Sequence, residues 1–186
     1  VEAGRCERHL RSIPAAIASY HDAKQDLAHE TKQRQRRILA LLEQFTAARG
    51  LEAVHEIGLE DLTAFRASRN IGAGTWVKEL EILRQFFGYC EDAEWIVKNW
   101  AQKIPTPRNI QPSTREPYEP NDVTRIIAAC DVIGRGPYER LRARAMALTL
   151  RYTALRISDV ALLEKNRVRH CEIFLRTAKN GKPVKL

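Results

Sequence analysis

Between residues 104 and 120 this chain places five prolines in 17 positions: Pro105, Pro107, Pro112, Pro117 and Pro120. Each proline fixes φ and removes a backbone donor, so a run this dense excludes both helix and interior strand. The hydrophobic pattern stops here and restarts beyond it. The chain therefore reads as two domains, 1–103 and 120–186, joined by a linker over 104–119. With 186 residues in all, either side is a small domain.

Before the linker the apolar spacing is helical. Leu10, Ile13, Ile17, Tyr20 and Leu27 predict a helix within 9–29, with Ser12 as cap and Pro14 in its first turn. Thr31 is placed to cap a second helix running to Arg49, with Ile38, Leu41, Leu42 and Phe45 inside and Gly50 as its stop. A third helix over 60–69 buries Leu62 and Phe65. After a loop at Gly72 and Gly74, Thr75 caps a fourth that buries Trp76, Leu80, Leu83 and Phe87. Ala93 to Lys103 has room for one more. The expectation is a bundle of four to five helices whose stripes are core.

After the linker Pro120-Asn121-Asp122 opens a helix that Gly134-Arg135-Gly136 ends. Residues 137–152 predict a longer helix with Leu141, Ala145, Leu148 and Tyr152 inside and Arg140, Arg142, Arg144 and Arg151 outside. A third starts near Ser158, carrying Val160, Leu162 and Leu163. The period then shortens: 167–170 and 171–175 read as strands, and Asn180-Gly181 predicts a two-residue hairpin turn with Lys179 and Lys182 on either side. The fold class is mainly α, a helical bundle followed by a smaller α+β part with an antiparallel sheet.

The formal net charge is +8. Residues 1–103 carry 15 Lys+Arg against 15 Asp+Glu; residues 104–186 carry 16 against 8, so the whole excess lies after residue 103. Such an excess points to a polyanion, most often nucleic acid. In the neutral half, Thr31 to Arg37 still gathers four cations without an acid. No apolar run approaches a membrane span, and Glu2, Arg5, Glu7 and Arg8 leave no room for a signal-peptide core. Cys6, Cys90, Cys130 and Cys171 are too far apart for a zinc motif or a small disulfide framework, and read as reduced thiols. The sequence opens on Val1 rather than Met and ends at Leu186 in what reads as mid-strand, the pattern of a fragment.

Two features carry chemistry. Arg156 sits at a helix–helix junction in Thr153-Ala154-Leu155-Arg156-Ile157-Ser158-Asp159, and two lysines flank the hairpin tip Lys179-Asn180-Gly181-Lys182. An arginine fork holds two phosphate oxygens at once, and a lysine ammonium delivers a proton to a leaving oxygen. Together they suit phosphoryl transfer. Singly, each is more often a solvated surface residue.

The segment from Thr153 to Leu163 resembles the first catalytic-arginine box of the tyrosine recombinases, the phage integrase family, with Ala154 where that box has Gly and Asp159 where it has Glu. Arg176 to Leu186 resembles the family's lysine-bearing β-hairpin. Pro117 to Ala129 matches the usual opening of its catalytic domain, and 9–103 is similar to its helical core-binding domain, including Phe86-Phe87-Gly88-Tyr89 near the end of the fourth helix. The resemblance implies that Arg156 clamps the scissile phosphate and Lys179 is the general acid, with Lys182 the competing assignment. Asp159 braces the site from behind, and Lys32, Arg36, Thr75, Lys78 and Lys182 meet DNA. It implies double-stranded DNA as partner, no membrane, no metal and no cofactor, because cationic side chains stabilise the transition state. It implies a monomer as a fragment, a tetramer of the full-length protein on DNA, and a cytoplasmic, nucleoid-associated location. The family's second arginine, its histidines and its nucleophilic tyrosine lie further along than residue 186, and none of Tyr20, Tyr89, Tyr118, Tyr138 and Tyr152 follows the hairpin. The fragment is expected to bind DNA without cutting it. A non-catalytic helical DNA-binding regulator also explains the charge and the helices, but not an arginine box followed by a lysine hairpin.

Overall fold

The computed structural model describes residues 10–108, 116–170, 172–179 and 181–186. Cys6, Pro112, Cys171 and Asn180, all used in the reading of the sequence, lie outside the described residues. Contacts divide the chain into two compact units, Val1–Pro112 and Ser113–Leu186.

In unit 1, α1 spans Ile13–Asp22, α2 His29–Ala48, α3 Leu59–Ser68 and α4 Ala73–Asp92. Ser12 is the extended N-cap residue of α1, but its hydroxyl makes no capping bond. The chain there is fixed instead by an antiparallel bridge to Ala53, through Ile13 N–H to Glu52 C=O at 2.9 Å and Val54 N–H to Arg11 C=O at 3.1 Å. Helix α1 stops at Asp22, short of Leu27, and Leu10 before it is exposed. Helix α2 starts at His29, so Thr31 is inside its first turn rather than its cap. Gly50, with φ of +72°, follows its end, the left-handed step that releases a chain from a helix. Gly72 is the N-cap residue of α4, which puts Gly74 and Thr75 inside that helix.

The apolar stripes meet in one interior. Ile38, Leu39 and Leu42 of α2 and Leu62 and Phe65 of α3 are buried with Trp76, Leu80, Leu83, Phe86 and Phe87 of α4. Leu41 and Phe45, expected inside, pack at the margin of that core. Aromatic edges contact aromatic faces at Tyr20–Phe86 and Phe45–Phe65, with centroids 5.6 and 5.3 Å apart, the preferred geometry for ring pairs. One ion pair sits at the edge of that core, with Glu79 buried and Arg69 partly so: Arg69 donates from Nε (3.1 Å) and Nη2 (2.9 Å) to the two oxygens of Glu79. After α4 the expected short helix reduces to a 3-10 turn, Trp100–Lys103. Glu94 takes a positive φ of 61° and ends helical progression there. Arg84 then ties the tail to α4, donating to Ala101 C=O, Ile104 C=O and Thr106 Oγ1 at 3.2, 2.7 and 3.1 Å.

In unit 2, α5 spans Pro120–Ala129, α6 Pro137–Thr153 and α7 Ile157–Ala161. Three short antiparallel strands follow in the order β1 (Val168–Arg169), β2 (Glu172–Arg176) and β3 (Pro183–Lys185). The register pairs Val168 with Ile173, and Phe174, Leu175 and Arg176 with Lys185, Val184 and Pro183. The stripe of α6 is not inside: Leu141 is 69% exposed, Tyr152 77%, and Ala145 is exposed too, while Leu148 is half-buried. Leu162, expected in the core after α7, is exposed as well. Helical spacing foretells which face is apolar, not whether a second layer is there to cover it. Among the described residues, no helix is long and apolar enough to cross a membrane.

Candidate active site

The junction between α6 and α7 is built by one residue. Ala154 adopts φ 52°, ψ 20°, a left-handed C-cap, and its N–H closes α6 on Leu150 C=O at 3.2 Å. Thr153 supports the corner, its hydroxyl donating to Thr149 C=O and accepting from Leu155 N–H at 3.3 Å. The turn leaves Arg156 as the exposed N-cap residue of α7. Helix α7 has five residues, too few for an appreciable dipole. Anion attraction at this corner therefore rests on the guanidinium itself.

Asp159, three residues on, is 5% exposed. Its Oδ1 accepts a hydrogen bond from Ala178 N–H at 2.7 Å, and its Oδ2 lies 3.9 Å from Arg156 Nη1. Oδ2 has no hydrogen-bond partner among the described residues. An unpaired buried oxygen costs on the order of 1–3 kcal/mol, so the nearby guanidinium is held to that side by charge. One carboxylate thus connects the arginine corner to the hairpin that carries Lys179, the residue after Ala178. Asp159 also lines a cleft of about 330 Å³ with Glu164, Arg167 and Arg176.

The hairpin differs from the two-residue turn its Asn-Gly pair predicts. Thr177 N–H donates to Lys182 C=O at 2.9 Å and Gly181 N–H to Thr177 C=O at 2.8 Å. The closing pair is Thr177 and Lys182, with Gly181 at φ +63°. The reason is tertiary. Thr177 is buried and its hydroxyl accepts from Lys182 N–H at 3.2 Å, while the N–H of Ala178 is taken by Asp159. Lys179 is therefore inside the loop and Lys182 at its base, both exposed, rather than facing each other across a tight turn. Thr177 and the Ala178 N–H are the anchors that sequence reasoning missed. The available signal was a threonine at the end of a strand, a residue that hydrogen-bonds locally in turns.

The remaining candidates lie on unit 1. Lys32 donates from Nζ to Gln25 C=O at 3.0 Å, holding the connection between α1 and α2. Arg36, one turn further, is exposed. Thr75 and Lys78 are exposed on the first turns of α4, which packs against α2. His21 titrates below the usual histidine range, first because it is partly buried and second because Arg36 is close; Asp22 opposes the shift. Burial pushes the Cys90 thiol up to about 12. The described residues contain no cluster of three His, Cys, Asp or Glu side chains able to hold a metal ion.

No family model and no curated protein matches the sequence. Solved structures do. A lambda integrase dimer bound to a COC' core site is similar over 95% of this chain and 49% of that one, with a TM-score of 0.75 at 12% identity. A lambda integrase tetramer bound to a Holliday junction is similar over 94% of this chain and 50% of its own, at 0.74 and 15%. A lambda integrase(75-356) dimer, also on a COC' core site, gives 0.74 at 12% over 94% of this chain and 62% of that one. The chain spans about half the length of the first of these. A helical bundle followed by helices and a small antiparallel sheet, in this order and over nearly the whole sequence, is the fold of lambda integrase.

Proposed function

We propose that this chain is the DNA-gripping portion of a site-specific recombinase of the tyrosine recombinase family, acting on double-stranded DNA. In this reading 1–103 is the core-binding domain, 104–119 the linker and 120–186 the first part of the catalytic domain. The observation that carries it is the Asp159 carboxylate, which bonds the backbone beside Lys179 and faces the guanidinium of Arg156. Two cationic groups 23 positions apart in the sequence thereby belong to one site.

Arg156 takes the non-bridging oxygens of a scissile phosphate and stabilises the charge that grows on them. Lys179 gives its proton to the 5′ oxygen as the phosphorus–oxygen bond breaks. The bond that forms is to a tyrosine oxygen, leaving a 3′-phosphotyrosyl link. None of the tyrosines in residues 1–186 follows the hairpin, so the nucleophile is assigned to none of them; the part these residues play is to hold the DNA and its scissile phosphate. Lys32, Arg36, Thr75 and Lys78 contact the duplex from the bundle, and Lys182 from the base of the hairpin. The likeness to lambda integrase, seen bound to a core site and to a Holliday junction, supports the choice of partner.

Phosphate ethylation interference tests this directly. The chain should lose binding when particular backbone phosphates are ethylated, and Arg156→Ala should erase that sensitivity at one phosphate while leaving the others. Incubation with a nicked duplex should give no covalent adduct. An unchanged interference pattern in Arg156→Ala removes the arginine from the phosphate, and an adduct removes the assignment of the nucleophile.

A further inference from the structure

Helix α2 places an amide at a core position. Gln35 stands on the same buried stripe as Ile38, Leu39 and Leu42, where the spacing calls for another apolar residue, and it is 3% exposed. Its Nε2 donates to the Tyr20 hydroxyl at 3.2 Å and to Gln85 Oε1 at 3.5 Å. Its own Oε1 has no hydrogen-bond partner among the described residues. A buried amide with one group unpaired is less stable there than an apolar side chain of similar size, so packing gives no reason for it. What Gln35 reaches is the surface. Gln85 is exposed on α4, and Gln35, backed by Tyr20, holds it by its oxygen.

Gln85 shares a face of α4 with Lys78 and Glu81, at i, i+3 and i+7, and all three are exposed. This face is mixed in charge, unlike the start of α2, where Thr31 to Arg37 gathers four cations and no acid. A purely cationic face suits phosphates, which every sequence offers alike. An amine, an acid and an amide in a row suit base edges: lysine donates to guanine O6 and N7, glutamate accepts from cytosine N4, and glutamine pairs with adenine N6 and N7. The bond from Gln35 leaves Gln85 what adenine needs. It occupies one lone pair of Oε1; the second accepts from N6 while Nε2 donates to N7. An amide already held in orientation loses less freedom on meeting a base. We infer that Gln85 is a specificity-determining residue that reads an adenine in the major groove, with Gln35 as the positioning residue behind it. The inference rests on the proposed DNA-binding role of the bundle.

The test is a binding-site selection with the full chain on duplexes of random sequence. The parent should enrich adenine at one position about tenfold over the other bases. Gln85→Ala should erase that preference and leave the other enriched positions and the salt dependence of binding as they are. Gln85→Glu should turn the same position to cytosine. Gln35→Leu should weaken the adenine preference about threefold without lowering the thermal midpoint, since leucine fills the core and leaves no unpaired amide. The same enriched sequence from the parent and from Gln85→Ala overturns the inference and leaves the DNA-binding reading standing, as does duplex binding by the parent with no base preference at all. A Gln35→Leu chain that unfolds earlier yet keeps the adenine preference overturns the positioning role. A parent that binds no duplex overturns the proposed function, and this inference with it.

Discussion

The two units of this molecule differ in what holds them. In unit 1 twenty-one buried apolar residues from four helices and their connections form one cluster. In unit 2 the buried apolar residues among those described are Cys130 and Val160. The charge divides the other way, +1 over 1–112 and +7 over 113–186. Apolar burial supplies most of the drive to fold, so unit 1 carries its own stability. Unit 2, with the candidate catalytic groups, depends on short-range hydrogen bonds and on whatever covers its apolar side chains. A site built for a polyanion gathers like charges, and like charges are a poor foundation for a compact fold.

The contrast is most easily broken by cutting one side chain from each unit. Phe65→Ala removes a ring that is 1% exposed and should cost unit 1 about 3–5 kcal/mol in urea unfolding. Leu141→Ala in α6 should change stability by no more than about 0.5 kcal/mol. Comparable losses at the two positions would mean that the apolar stripe of α6 is covered in solution. Next in size is Glu79→Gln, which leaves the Arg69 guanidinium without its carboxylate and should cost about 2–4 kcal/mol. Arg69→Met with Glu79→Leu should restore much of the loss, because replacing both partners of such a pair by apolar groups is close to neutral. If the double variant is no better than the single one, Arg69 stabilises through its packing over Phe65, 5.9 Å from the ring centre.

Asp159 plays the corresponding part in unit 2, but for geometry rather than bulk stability. Asp159→Ala should free the Ala178 amide and raise its hydrogen-exchange rate about 10- to 100-fold, matching a charge-assisted hydrogen bond of about 1.5–3 kcal/mol. The same variant should weaken DNA binding through both Arg156 and Lys179. An unchanged exchange rate would mean that the hairpin is held by its own ladder. Ala154→Gly works in the opposite direction. Its left-handed backbone strains an alanine and suits a glycine, so thermal unfolding of unit 2 should be delayed by about 0.5–1 kcal/mol.

The sequence announced some of this and concealed the rest, for reasons that are physical. Gly50, Pro120 and Gly136 mark real helix ends, because proline and glycine act on the backbone of their own residue; the stop expected at Gly134 comes earlier, α5 ending at Ala129. Thr31 and Thr75 misled, since a threonine one or two residues inside a helix looks the same as one that caps it. The arginine corner was legible because its residues are adjacent in the chain. Its connection to the hairpin was not, because it runs from a side chain to the backbone N–H of an alanine, and no residue type advertises that. The fate of the α6 stripe was also hidden: periodicity shows an apolar face, and only coordinates show what lies against it.

The smallest expected effect joins the neutral unit to the proposed DNA contact. His21 titrates below 6.5, mainly through burial and then through Arg36. In the interval just under 6.5 the unfolded chain takes up a proton that the folded chain refuses. Stability therefore falls as pH drops through that interval and levels off once the folded histidine is also protonated. His21→Gln should remove that dependence. Arg36→Ala should move the His21 ring signal upward in an NMR titration without reaching the ordinary value, since burial remains. A DNA phosphate paired with Arg36 would do the same, by cancelling the charge that repels a proton from the ring. Bound duplex should thus raise the His21 titration in the parent chain and leave it unmoved in Arg36→Ala, whose binding should lose about one unit of salt slope. A histidine that ignores DNA in both would take Arg36, and with it the exposed face of α2, out of the interface.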